Sequence, residues 1–171
     1  TEFNQSIFLS ADHTSSLKRA QEAIGAGLDL IVFDRSELSP EDNIAETKKC
    51  VELARSVNPE ILVEGELGYI GKSSKMLDEL PVGVALDESS ITKVEEAERF
   101  VKETGVDLFS PAVGNIHGML KHAANPRLFI QRTKEIRDVT GVPLVLHGGS
   151  GLTDEDFVAA IEAGVAIVHI N

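Results

Sequence analysis

Residues 27–33 read Gly-Leu-Asp-Leu-Ile-Val-Phe, a glycine that closes an amphipathic segment and then a short, almost continuously apolar run. Glycine tolerates the left-handed conformation in which many helices end, which a Cβ atom penalises. A strand that is apolar on both faces is typical of a parallel sheet covered by helices. The same order recurs at residues 105–109, 141–146 and 164–170 and predicts repeated β-α-β units.

Six strands and their helices follow from this pattern. Ser39-Pro40, Thr92 with Glu95, and Thr153 with Asp156 have the spacing of helix starts. Residues 68–90 show no hydrophobic period of a helix or a strand, and a loop of that length is usually functional or mobile. The expected strands span residues 6–11, 29–34, 61–66, 106–113, 143–147 and 165–170.

The length sets the expected architecture. A complete (β/α)8 TIM barrel needs about 250 residues, whereas this chain has 171. We therefore expect residues 1–171 to form a single α/β domain, a partial TIM barrel with about six of the eight strands. The missing parts would be N-terminal strands and C-terminal helices.

Charge and composition exclude several classes of partner. Lys and Arg number 16 against 28 Asp and Glu, a net charge of −12, which disfavours binding to nucleic acid and to anionic membranes. The longest apolar runs have five or six residues, too few to span a bilayer. The single cysteine, Cys50, excludes an intramolecular disulfide and fits a small buried side chain. These features predict a cytoplasmic protein.

Three histidines lie at or shortly after the carboxyl ends of expected strands: His13, His117 and His147. In parallel α/β folds the reactive groups lie at the carboxyl ends of the strands. Catalytic Zn²⁺ sites commonly have three protein ligands, and three neutral imidazoles can supply them. The metal in such a site acts as a Lewis acid on a carbonyl. One such histidine alone would more often be structural, but three together favour a metal site.

Carboxylates lie at the same strand ends. Asp12 would point away from His13 if the segment stays extended, and it could cap a helix, shuttle a proton or form a hydrogen bond to a substrate oxygen. Asp34 and Glu66 could hold a second cation or orient the histidines. Glu64 and Glu66 could equally be solvated strand ends. Side chains two residues apart share one face of a strand, but the alternation alone does not identify which face looks into the barrel.

Residues 148–151, Gly-Gly-Ser-Gly, precede the helix expected at Thr153. Backbone amides in such a turn, next to a helix N-terminus, favour a phosphate, although a bare tight turn is also possible. Gly118 and Lys121 offer another amide and a cation for the same anion, although Lys121 taken alone is more typical of a solvated surface lysine.

Taken together, these motifs resemble the class II, zinc-dependent ketose-bisphosphate aldolases over residues 8–171. Their order and spacing agree jointly, and the family has a (β/α)8 barrel of which this chain would hold the third to eighth strands. The matching motifs are Asp12-His13, Asp34 with Ser36 and residues 40–44, Glu64-Gly-Glu-Leu-Gly68, Gly114-Asn-Ile-His-Gly118, and residues 142–151.

The resemblance implies a role for each matching residue. It implies that Asp12 is the catalytic aspartate, and that Asp34 and Glu66 bind a second cation, divalent or monovalent. The implied ligands of the catalytic zinc are His13, His117 and His147. The implied cradle for one substrate phosphate is Gly118, Gly148, Gly149 and Ser150.

The implied reaction is reversible aldol cleavage of a ketose bisphosphate to dihydroxyacetone phosphate and an aldehyde phosphate. Fructose 1,6-bisphosphate is the leading substrate, and a tagatose-bisphosphate-type aldolase is an alternative. Zinc would polarise the ketone, so no Schiff-base lysine is needed. The partner is thus a small sugar phosphate, and a full-length protein would be a homo-oligomer.

Three positions depart from the family pattern. Residues 71–75 contain no carboxylate, and none follows until Asp78, so the proton-transfer residue of the mobile loop is unassigned. His169 stands where the family places an asparagine on the substrate, two residues before Asn171. We expect His169 and Asn171 to contact substrate, although His169 could also bind metal or fill the barrel. Arg35 adds a cation that could weaken the second metal position or favour another anionic substrate.

Two other functions compete with the aldolase. One is a non-catalytic barrel that binds a metal and a sugar phosphate but lacks the proton-transfer loop. The other is a metal-dependent hydrolase, which would use a zinc-bound water as its nucleophile.

Overall fold

A computed structural model describes residues 6–71, 75–80, 82–84 and 86–170. Its helices alternate with strands, except that β4 directly follows β3 and β6 directly follows β5. The helices are α1 (Leu17–Gly25), α2 (Pro40–Val57), α3 (Val94–Thr104), α4 (Ile130–Thr140) and α5 (Asp154–Glu162). The strands are β1 (Ser10–Thr14), β2 (Leu30–Phe33), β3 (Leu62–Leu67), β4 (Met76–Leu77), β5 (Leu108–Pro111), β6 (Met119–Leu120), β7 (Leu144–Leu146) and β8 (Val165–Val168).

Six of the strands form one parallel sheet in the order β1-β2-β3-β5-β7-β8, which is also their order along the chain. The sheet curls, so that Asp12 Oδ1 on the first edge strand lies 3.8 Å from Nδ1 of His169, just beyond the last one. This curled half-barrel confirms the expected fold class, an α/β partial TIM barrel.

The main core lies between the sheet and its helices. Phe100 of α3 is fully buried and packs against Phe109 of β5, with ring centroids 5.5 Å apart. The contact depends on Gly65 in β3, since a Cβ atom there would lie 2.6 Å from Phe100 Cε1. Gly65 therefore faces the helices, and its neighbours in β3 face the inside of the half-barrel.

The first strand begins later than expected. The prediction of a strand over residues 6–11 followed the apolar residues Ile7, Phe8 and Leu9, but these side chains are exposed beside the edge of the sheet. The strand instead runs over Ser10–Thr14, and its pairing with β2 changes register between Ala11 and Thr14.

A second, two-stranded sheet was not expected. In it, Met76-Leu77 of β4 pairs with Met119-Leu120 of β6. Strands of two residues are too short to show a hydrophobic period, so sequence patterning cannot reveal them.

Two of the three predicted helix starts are confirmed. The Ser39 side chain accepts from the Asp42 amide, and Thr153 and Asp156 form a reciprocal capping box. The prediction at Thr92 was wrong, because its hydroxyl donates to the Leu67 carbonyl and does not cap α3. Thr92 thus ties the end of β3 to the segment before α3.

Cys50 is fully buried in α2, as expected, and burial raises the pKa of its thiol to about 12. This thiol belongs to the core. Among the described residues, none of the helices combines the length and apolarity that a membrane crossing needs.

Replacing Phe100 by alanine tests the core. We expect Phe100→Ala to lower the free energy of unfolding by about 3–5 kcal/mol, because it leaves a cavity against Phe109. Val158→Ala, at an exposed position of α5, should change it by less than about 0.5 kcal/mol. Urea denaturation measures both, and equal effects would contradict the proposed packing of the core.

Candidate active site

A cavity of about 400 Å³ lies at the carboxyl ends of the parallel strands. Most of the residues predicted to form the site line it, although they come from distant parts of the chain. The predicted residues in its wall are Asp12, His13, Asp34, His117, Gly118, His147, Gly148, Ser150 and His169.

The three predicted histidines converge in this cavity. One ring nitrogen from each of His13, His117 and His147 lies within 4.8 Å of the others. The buried nitrogens His13 Nε2, His117 Nε2 and His147 Nδ1 have no hydrogen-bond partner among the described residues. Unpartnered buried nitrogens are costly unless something else binds them. Their convergence fits a metal ion, for which neutral imidazoles are ready ligands.

A buried carboxylate and a half-buried one hold two of these rings in place. His147 Nε2 lies 2.7 Å from Glu64 Oε1, and the two side chains are 1% and 0% exposed. His13 Nδ1 lies 3.1 Å from Asp34 Oδ2. A carboxylate only accepts, so each ring donates to it and keeps the lone pair of its other nitrogen for the cavity.

Sequence reasoning missed the role of Glu64. The signal that could have found it is Gly65. This residue lacks a Cβ atom where Phe100 of α3 packs against the outer face of β3. Glu64 and Glu66 flank this glycine and therefore both point inward. Both are buried, so the interpretation as solvated strand ends was wrong.

An irregular backbone brings Asp12 and His13 to the same cavity. His13 has a φ of +44°, where the register of β1 shifts. Asp12 Oδ1 consequently lies 3.9 Å from His13 Nε2, so the expectation of opposite directions does not hold. Asp12 does not cap α1 either, because Ser16 does. Its carboxylate is 63% exposed and borders the cavity.

Burial and charge shift the pKa values in the cluster. Burial lowers the pKa of His117 to about 4, with the neighbouring histidines acting in the same direction. The hydrogen bond to Asp34 raises the pKa of His13 against the effect of burial. Burial, with the nearby carboxylates, raises the pKa of Glu66 well above its ordinary value. Such crowding of carboxylates is relieved by a bound cation.

The second predicted cation position is also assembled. His13, Asp34 and Glu66 offer ligand atoms within 4.8 Å of one another. Burial alone would raise the pKa of Asp34, but hydrogen bonds from His13 and Ser36 outweigh it and leave the pKa below its usual value. Asp34 is therefore ionised and available to a cation.

The glycine-rich turn is only partly as expected. Gly118, Gly148 and Ser150 line the cavity. The Gly149 amide, however, donates to the His169 carbonyl at 3.0 Å, which takes it away from the predicted cradle. Lys121 pairs with Asp78 at 2.8 Å and does not line the cavity, so its predicted contact with the anion is not seen.

Two further predicted positions have surroundings that the sequence did not indicate. His169 stacks on His147 with ring centroids 4.2 Å apart and planes at 24°, and Asp12, His147 and His169 offer ligand atoms within 4.8 Å of one another. Arg35 pairs with Glu46 outside the cavity, and the expected extra cation is not in the wall. Asn171 lies outside the described residues.

A parallel α/β sheet with its polar cluster at the carboxyl ends of the strands defines a protein of the TIM-barrel class, with a site that fits a metal. Comparison with known proteins gives the family. Residues 1–171 match the family described as fructose-bisphosphate aldolase class-II, and the chain belongs to this family. The resemblance expected from the motifs is confirmed.

Individual relatives carry more than one substrate name. A fructose-bisphosphate aldolase of Staphylococcus aureus is 36% identical over 165 residues, 96% of this chain and 54% of that protein. A 6-phospho-5-dehydro-2-deoxy-D-gluconate aldolase of Shouchella clausii is 39% identical over 96% of this chain and 52% of its own length. The chain thus spans about half the length of these curated relatives.

Solved structures agree with the fold. The YdjI aldolase of Escherichia coli K12 superposes with a TM-score of 0.76 and 30% identity, covering 98% of this chain and 53% of the other. A structure from Coccidioides immitis gives a TM-score of 0.80 and 33% identity, covering 96% of this chain and 56% of its own.

Gly148 tests how closely the two loops of the cavity approach each other. Its φ is +68°, and a Cβ atom there would collide with the Ile116 carbonyl. We expect Gly148→Ala to lower the free energy of unfolding by at least about 2 kcal/mol. Gly25→Ala, with open space around the new Cβ, should leave it unchanged or raise it by up to about 1 kcal/mol. Thermal unfolding compares the two, and a harmless Gly148→Ala would contradict this close approach of the loops.

Proposed function

We propose that this chain carries the metal and phosphate sites of a class II aldolase that reversibly cleaves a ketose bisphosphate to dihydroxyacetone phosphate and an aldehyde phosphate. Fructose 1,6-bisphosphate is the leading substrate. The observation that carries the proposal is the convergence of three unpartnered histidine nitrogens, among the described residues, on a cavity that also has a glycine-rich wall.

His13, His117 and His147 would hold a zinc ion. Zinc binds well to three histidines with one position left open, and when bound it supplies a Lewis acid for the ketone oxygen. Glu64 and Asp34 orient two of the rings. Asp34 and Glu66 are the proposed ligands of a second cation, divalent or monovalent.

Asp12 is the proposed catalytic base. Cleavage of the carbon–carbon bond requires a proton to leave the hydroxyl on the carbon that becomes the aldehyde. Asp12 borders the cavity with an exposed carboxylate, and its Oδ1 lies within 4 Å of both His13 and His169. Oδ1 can therefore accept this proton beside the bound ketone.

Backbone amides supply the proposed phosphate site. Gly118, Gly148 and Ser150 line one wall, and glycine allows the backbone to approach an anion closely. No Lys or Arg of the described residues lines the cavity, so amides carry this role. His169 remains the proposed contact to a substrate hydroxyl.

The names of the relatives support a phosphorylated sugar as substrate but leave its identity open, with a tagatose-type bisphosphate as an alternative. The acidic composition and the single cysteine support a cytoplasmic enzyme without nucleic-acid or membrane partners. We propose that the full-length protein is a homo-oligomer.

One observation favours a second function. Residues 71–75 contain no carboxylate to move the proton at C3. A chain without this group would be a barrel that binds metal and sugar phosphate but does not catalyse cleavage. Exchange of the C3 proton of dihydroxyacetone phosphate separates the two functions.

Removal of the metal tests the aldolase. We expect a chelator to abolish cleavage of fructose 1,6-bisphosphate, and added Zn²⁺ to restore it, because polarisation of the ketone is lost with the metal. Coupled assay of dihydroxyacetone phosphate measures the rate. Cleavage that persists after complete removal of metal would contradict the proposal, and tight binding without C3 proton exchange would support the second function.

Glu64→Gln tests the orientation of His147. The change keeps the size of the side chain but replaces the carboxylate next to His147 Nε2 by a neutral amide, whose oxygen is a weaker acceptor. We therefore expect zinc to bind about 10–100-fold more weakly. Competition with a chromophoric chelator measures the Kd. Glu60→Gln, on the surface, is the control. Equal zinc affinity in both variants would show that Glu64 does not orient the ligand.

A further inference from the structure

Two loops form the proposed phosphate cradle, one after β5 and one after β7. Within the described part of the chain, these two strands pair at a single position, Phe109 with Leu144, two residues before the end of each strand. The sheet ladder therefore does not set the distance between Gly118 in one loop and Ser150 in the other. Other contacts must hold these two residues in place.

Asn125 makes two of these contacts, beside the hydrogen bond from Asn115 Nδ2 to the His147 carbonyl at 3.0 Å. Its Nδ2 donates to the Gly118 carbonyl at 2.9 Å and to the Ser150 carbonyl at 3.0 Å. Its Oδ1 accepts from the Leu120 amide at 3.0 Å. One half-buried side chain thus uses both of its N–H groups and its oxygen to join the two loops.

The direction of these bonds matters for an anion. A phosphate is repelled by carbonyl oxygens and attracted by amide groups. Because Nδ2 binds the carbonyl oxygens of both Gly118 and Ser150, these oxygens are held toward Asn125. These two carbonyl oxygens therefore do not point toward an anion in the cavity, and they repel it less.

The surroundings restrict Asn125 itself. Pro126 follows it, and a residue before proline has limited backbone freedom. Gly151 lies against its amide, where a Cβ atom would be 2.9 Å from Nδ2. The side chain is therefore held in place before any ligand arrives.

We propose that Asn125 is a positioning residue for the phosphate cradle, which it sets by joining the loops of Gly118 and Ser150. This inference rests on the proposed function of those loops. Asn125 acts through the two backbone segments, and the ligand class is the phosphate group of a sugar phosphate.

The test compares Asn125→Ala and Asn125→Asp with the unchanged protein, each loaded with zinc, and uses inorganic phosphate as the probe. Isothermal titration calorimetry measures the phosphate Kd, and chelator competition measures the zinc Kd. We expect phosphate to bind about tenfold more weakly to Asn125→Ala. It should bind more weakly still to Asn125→Asp, whose carboxylate faces two carbonyl oxygens and repels the anion.

The zinc Kd distinguishes positioning from general damage to the fold, since the hydrogen bonds of Asn125 go to Leu120, Gly118 and Ser150 and not to the three histidines. We expect it to stay within about twofold in both variants. Asn58→Asp is the matched control, because Asn58 also precedes a proline but lies at the exposed end of α2. Its phosphate Kd should not change.

Three results would overturn the inference. If the variants bind phosphate as tightly as the unchanged protein, the phosphate site is supported but Asn125 does not position it. If zinc and phosphate weaken together, the role of Asn125 is general stability. If the unchanged zinc-loaded protein does not bind phosphate, the cradle itself is wrong, and the inference fails with the proposed function.

Discussion

The contact between Glu64 Oε1 and His147 Nε2 crosses the inside of the half-barrel from β3 to β7, with β5 between them. Strands two places apart are about 9–10 Å distant in a sheet, so the 2.7 Å contact requires long side chains on a curled inner face. Both groups are fully buried, and a buried carboxylate without a partner would cost several kcal/mol. The contact thus couples the curvature of the sheet to the orientation of His147.

The same contact decides the chemistry of the cluster. With Nε2 committed to Glu64, His147 can offer only Nδ1 to the cavity, and that nitrogen has no partner among the described residues. His13 shows the same arrangement through Asp34, with its nitrogens exchanged. Rings fixed in this way need no rearrangement to receive a metal, which favours binding.

Much of this site could be predicted from the sequence. Helix-ending glycines and apolar runs place the strands. The ends of parallel strands meet at one edge, so the three histidines were expected to lie close together. The failures have local causes. The left-handed backbone at His13 turns Asp12 into the cavity, and no pattern of apolar residues signals such a conformation. Lys121 and Gly149 were assigned to an anion from their position, but each has another partner in the fold.

The proposal that these three histidines form a metal centre is tested most directly by X-ray absorption spectroscopy of the zinc-loaded protein. We predict a zinc shell with three imidazole nitrogens at about 2.0–2.1 Å, reduced to two in His147→Ala. A shell of oxygen ligands only, or one that His147→Ala leaves unchanged, would contradict it.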